Sequence, residues 1–188
     1  SVPKTGTTAI ESALSSKASM IVSNPPELKH EPVYRYNRFF RPMFEKACKA
    51  ELETFALMRE PISWLGSWYK YRQRPFLDGN PKSTKSVSFD DFVLSYMKGE
   101  KPAFANVGSQ VKFLEPRPNG TQVDFLFRYE DVTSWVSFLE KRFNCPLSIP
   151  RLNESKGKKP ILSTNVEQRF RRKMAEEFEL WESISTTS

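Results

Sequence analysis

Phe55-Ala56-Leu57-Met58-Arg59-Glu60-Pro61-Ile62-Ser63-Trp64-Leu65-Gly66-Ser67-Trp68-Tyr69 decides the fold. Four apolar residues close a strand candidate that begins near Glu51 and stops at a charged pair. Pro61 then stands where a helix begins, at a position that needs no N–H donor. The helix is expected to run to about Arg72. Trp64, Trp68 and Tyr71 follow at helical spacing and read as core packing. A strand that turns directly into a helix is the repeating unit of α/β folds. Open sheets of that class bind ligands outside the carboxyl ends of their strands, and Arg59 sits at such an end. Its guanidinium fork suits a phosphate. Ser63 and Ser67, four apart, share one helix face, and Ser67 can add a hydroxyl hydrogen bond.

The alternation continues outward from this turn. Met20-Ile21-Val22-Ser23, stopped by Asn24-Pro25-Pro26, reads as a short buried strand. Tyr36 to Lys49 carries helical spacing, and Gln122 to Phe127 reads as a third strand. Helices are expected from Ser88, a plausible N-cap followed by Asp90 and Asp91, from about Asp131 to Arg142, and from Thr164 to Glu182. Ala105 to Leu114 suits a short helix, and Gly108-Ser109-Gln110 within it either lines an acceptor cleft or caps a helix. Residues 73–86, with Pro75, Gly79 and Pro81, form a loop, and 141–160 is irregular. Together these imply one α/β domain over residues 1–188 with a mainly parallel sheet.

Composition narrows the class. The 188 residues suffice for a real core, and 13% aromatic content excludes a disordered solvating chain. Cys48 and Cys145 alone exclude a disulfide-dense scaffold. No apolar run approaches a membrane span, and the first residues lack the apolar core of a leader. The formal charge of +7 favours anionic ligands.

An anion site is spelled at the N-terminus. Pro3-Lys4-Thr5-Gly6-Thr7-Thr8 leads straight into the helical Ala9-Ile10-Glu11-Ser12-Ala13-Leu14. Gly6 permits a tight backbone path, Thr7 and Thr8 offer hydroxyls, and a helix start offers free N–H groups and partial positive charge. Lys4 adds a full charge. The spacing is not that of a Walker A loop, because the lysine precedes the glycine. The acid that would hold magnesium is also missing: the strands end in Arg59 and Arg128. A loop of this kind normally follows a central strand, so a first strand ahead of Pro3 is expected to have been trimmed from this chain.

These two motifs, in this order and separation, resemble those of the sulfotransferases that use 3′-phosphoadenosine 5′-phosphosulfate (PAPS), most nearly the bacterial and carbohydrate types. Lys4 to Thr8 is similar to the family's 5′-phosphosulfate loop, and Arg59 to Ser67 to its 3′-phosphate motif. Phe127-Arg128-Tyr129-Glu130-Asp131 resembles its late strand-to-helix turn. The resemblance implies a P-loop-like three-layer fold, a parallel sheet flanked by helices. It implies transfer of a sulfuryl group from PAPS to a hydroxyl or amine, releasing 3′,5′-adenosine bisphosphate without a metal. Lys4, Thr5, Gly6, Thr7 and Thr8 would hold the 5′ side, with Lys4 also stabilising the leaving oxygen. Arg59 and Ser67 would hold the 3′-phosphate. The basic segment 151–158 resembles the family's third contact, through Ser155, Lys156 and Gly157.

The acceptor, a small molecule or carbohydrate, must lose a proton. His30, the single histidine, suits a base at neutral pH. Lys29-His30 resembles the arrangement in cytosolic members, and Glu27 and Glu31 are rivals. A sulfotransferase that retains nucleotide but not catalysis is one alternative. A basic glycan- or nucleic-acid-binding module is another. The second is disfavoured, because Arg169, Arg171, Arg172 and Lys173 share their helix with Glu167, Glu176, Glu177 and Glu179. A glycan at the Asn153-Glu154-Ser155 sequon would obstruct the third contact, so a cytoplasmic location is expected.

Overall fold

The computed structural model describes residues 1–149 and 158–185. They form mixed α and β structure with a small parallel sheet. The chain divides into two compact units. One takes residues 1–59 and 109–149, with 183–185; the other takes 60–108 and 158–182.

The first unit is built on β1 (Phe55–Met58) and β2 (Phe125–Arg128), paired in parallel with Phe55 opposite Phe125 and Met58 opposite Arg128. It also holds α1 (Thr7–Leu14), α2 (Pro26–Lys29), α7 (Gln110–Leu114) and α8 (Val132–Phe143). Between α2 and β1 the helical turns of α3 (Val33–Arg35) and α4 (Arg41–Met43) alternate with π turns at Tyr36–Phe40 and Phe44–Cys48. Asp131 caps α8 by accepting from the Ser134 N–H at 3.2 Å. Trp135, Phe138 and Leu139 then fall at i, i+3 and i+4 and form one apolar stripe. That stripe packs with Phe55, Leu57 and Phe127 of the strands and with Ile10 and Leu14 of α1. Ala56 and Met58, on the opposite face of β1, are buried as well. Burial on both faces is what a parallel strand requires.

The second unit has its own core. It contains α5 (Pro61–Tyr71), α6 (Phe89–Tyr96), α9 (Thr164–Lys173) and all but the last residue of α10 (Ala175–Ser183). Pro61 is the first residue of α5, and the Glu60 carboxylate before it accepts from the Ser63 N–H at 2.7 Å. Ser88 caps α6 through the Asp91 N–H at 3.1 Å. Trp64, Leu65, Phe92, Val93, Tyr96 and Phe170 fill the interior. Trp64 and Tyr96 meet edge to face at 6.4 Å.

Two expectations need correction. Met20 to Ser23 is not a strand, and the sheet of the described residues has two strands. Met20 and Ile21 are 53% and 44% exposed, so the run does not have the burial that would make a strand of it. The last helix is broken: Met174 leaves helical geometry at φ −118°, ψ 38° and separates α9 from α10.

Candidate anion site at the carboxyl end of the first strand

The N-terminal loop turns tightly between Lys4 and Gly6. Lys4 and Gly6 both adopt left-handed backbone, at φ +68° and +73°. For Gly6 this conformation is free of steric cost; for Lys4 it is not. A Cβ on Gly6 would also lie 3.1 Å from the Tyr129 ring. Thr5 is buried, and its hydroxyl donates to the Val2 carbonyl at 2.7 Å, which ties the loop to itself. The Gly6 carbonyl accepts from the Ala9 and Ile10 N–H groups at 2.9 and 3.2 Å, closing the first turn of α1. No side chain caps that turn. The N–H groups of Thr7 and Thr8 therefore stand at the positive end of an uncapped helix.

Arg59 follows β1 directly and meets this loop. Its Nη1 donates to the Lys4 carbonyl at 3.2 Å, and its guanidinium lies 4.8 Å from the Tyr129 ring centroid. Tyr129 follows β2, and its N–H donates to the Met58 carbonyl at 2.8 Å. Its ring thus touches both the Gly6 turn and the arginine. Lys4 and Arg59, 55 residues apart and one from each predicted phosphate motif, come together at the carboxyl end of the parallel pair. Tyr129 had been given no role in the sequence. The signal for it was its place just past a strand whose neighbour ends in Arg59.

His30, the residue that follows α2, lies against Ser1, just ahead of the loop. Its Nδ1 is 3.0 Å from the Ser1 carbonyl, which can only accept, so Nδ1 carries the proton and Nε2 the lone pair. Burial lowers the His30 pKa below 6.5, against the opposing effect of that hydrogen bond. The ring is therefore neutral at pH 7. Lys29 is paired with Glu11 at 2.7 Å. Of the rival bases, Glu27 is exposed. Burial raises the pKa of Glu31, whose Oε2 has no hydrogen-bond partner among the described residues.

Ser67 lies on α5 in the second unit. Ser155, Lys156 and Gly157 lie outside the described residues. Beside the loop, a cavity of about 330 Å³ is lined by Val2, Ile10, Leu14, Ile21, Phe55 and Leu57 among others. Tyr36 and Arg41 border a polar cleft of about 160 Å³, where Arg41 pairs with Glu45 at 2.6 Å. Among the described residues no helix is long and apolar enough to cross a membrane, and no cluster of three metal-ligating side chains occurs.

No protein-family model, no curated protein and no solved structure matches this chain.

Proposed function

We propose that this chain is a PAPS-dependent sulfotransferase with a three-layer P-loop-like fold, acting on a hydroxyl or amine of a small molecule or carbohydrate. One observation carries this reading: Arg59, at the end of β1, is held against the carbonyl of Lys4 in the glycine turn. A turn with two left-handed residues, an uncapped helix start, a lysine and an arginine supply the donors and positive charge that suit an anion with more than one phosphate-like group. Gly6 fits that purpose, because it takes the left-handed turn without steric cost and leaves room for the Tyr129 ring, which a Cβ there would press at 3.1 Å.

PAPS supplies an activated sulfuryl group. The acceptor oxygen forms a bond to sulfur as the bond from sulfur to the bridging phosphate oxygen breaks. The acceptor proton passes to His30 Nε2, and the electron pair stays on the leaving phosphate. Lys4 and the N–H groups at the start of α1 stabilise that charge as it grows. Arg59 fixes the 3′-phosphate, which aligns the donor. Ser67 and the 151–158 segment enter this reading from the sequence resemblance. With His30 as base, activity falls as pH drops through its lowered pKa.

Calorimetric titration with 3′,5′-adenosine bisphosphate tests the reading. Saturable binding by the wild type, strongly weakened but still measurable in Arg59→Ala, is the expected result. ATP with magnesium serves as the control ligand. Preference for ATP–magnesium, or bisphosphate affinity unchanged by Arg59→Ala, overturns it.

A further inference from the structure

The pairing of β1 leaves one edge of that strand to be satisfied by other means. The carbonyls of Thr54 and Met58 accept from the N–H groups of Phe125 and Tyr129. In a parallel ladder the backbone groups of alternate residues face the same neighbour, so Thr54, Ala56 and Met58 face β2. Arg59, of the other parity, turns its N–H and carbonyl to the opposite edge. Both are taken by one side chain. The Oε1 of Gln110 accepts from the Arg59 N–H at 3.0 Å, and its Nε2 donates to the Arg59 carbonyl at 2.8 Å. A carboxamide, with one acceptor and one donor, supplies there what a neighbouring strand would supply.

Gln110 is completely buried. Water cannot replace it, so the Arg59 backbone depends on this side chain for its partners. The presentation of Gln110 is itself built: it is the first residue of α7, and Ser109 caps that turn by accepting from the Lys112 N–H at 3.2 Å. Asparagine is one methylene too short for the same double bond. Glutamate lacks the donor while ionised, and leucine lacks both groups.

We propose that Gln110 is a positioning residue for the anion site: its carboxamide fixes the backbone of Arg59 and thereby aims the guanidinium at the glycine turn and the Tyr129 ring. Its effect on ligand rests on the phosphate-site reading above. Its effect on Arg59 does not.

The test uses the full chain as wild type, Arg59→Ala, Gln110→Leu and the double variant, titrated with 3′,5′-adenosine bisphosphate and with 5′-AMP, which lacks the 3′-phosphate. Gln110→Leu is expected to weaken bisphosphate binding about tenfold, as loss of a buried hydrogen-bonded support implies. The affinity for 5′-AMP should stay within about twofold, and Gln110→Leu should add nothing in the Arg59→Ala background. Equal weakening of both ligands, or full additivity with Arg59→Ala, overturns the proposal. Gln110→Glu, of the same shape, replaces the leucine variant should that one fail to fold, and is expected to fall the same way. A second readout separates the two readings. The Arg59 Nε–H signal in nuclear magnetic resonance spectra should shift or broaden in the Gln110 variants, even if the wild type binds no bisphosphate. An unchanged signal overturns the positioning role, whereas an absent bisphosphate complex overturns only the phosphate assignment.

Discussion

At Gly6 the backbone demand and the packing demand coincide: φ is +73°, and an added Cβ would press on the Tyr129 ring at 3.1 Å. Gly79 has nearly the same φ, +72°, with nothing within 4 Å of the Cβ position. The pair separates the two costs. Gly79→Ala should lose about 1 kcal/mol from the left-handed conformation alone, and Gly6→Ala should lose more, about 2 kcal/mol or above. Urea unfolding of both variants measures the difference, and equal losses would mean that the Tyr129 contact carries no weight. His30 makes a second prediction at this scale. Burial lowers its pKa in the folded chain, while the unfolded chain titrates near 6.5. Below pH 6.5 the unfolded state therefore binds more protons. The stability from the neutral ring is complete above pH 6.5 and is lost as pH falls through the lower folded pKa. The comparison variant is His30→Gln, whose side chain does not titrate in this range. Subtracting the two unfolding curves from pH 8 to 5 leaves the histidine contribution. A difference that does not change with pH would refute it.

Among the elements, α8 holds the strand pair through Phe138, whose ring lies 4.7, 5.1 and 5.9 Å from the rings of Phe125, Phe127 and Phe55. Phe138→Ala should cost about 3 kcal/mol, the low end for such truncations because the ring is only partly buried. Phe143→Ala, on the same helix but 39% exposed, should cost about 0.5 kcal/mol or less. Similar losses in the two melts would deny α8 that role. The start of α8 could be read directly from Asp131, as α5 could from Pro61 and α6 from Ser88, because a cap and its helix lie within one turn of sequence. The short strand at Met20 could not be judged that way. Three apolar residues in a row look alike whether they pair or, as with Met20 and Ile21, lie 53% and 44% exposed, and the difference depends on whether a distant strand reaches them. Gln110 shows the same limit within the site. Its partner is 51 residues earlier, and nothing around Gly108-Ser109-Gln110 points to it. Lys4, Gly6 and Arg59 were legible because each sits in a local pattern with its own chemistry, a turn or a strand end. Tyr129 carried only the signal of its place just past a strand, since its role exists only where that turn and that strand end meet.

For the molecule as a whole, the open question is whether an anion is held by this site or by the field of a chain carrying +7. Any polyanion is drawn to a basic protein, and that attraction weakens with salt. A ligand bound only to the folded state stabilises it by about 2.7 kcal/mol at a hundred times its dissociation constant. Two variants each remove one positive charge, so both chains carry +7 − 1 = +6. Arg59→Ala removes it from the glycine turn; Lys85→Ala removes it from an exposed lysine paired with Asp78 at 2.5 Å. A field effect would fall by roughly the same small fraction in both, since charge summed over a surface is insensitive to which residue supplied it. Thermal melts with saturating 3′,5′-adenosine bisphosphate, at low and at high salt, decide between the two. The expected result is a stabilisation retained in Lys85→Ala and lost in Arg59→Ala at both salt concentrations. Equal loss in the two variants, or a stabilisation in the wild type that salt abolishes, would assign the anion to the overall charge and not to Arg59 and the turn it touches.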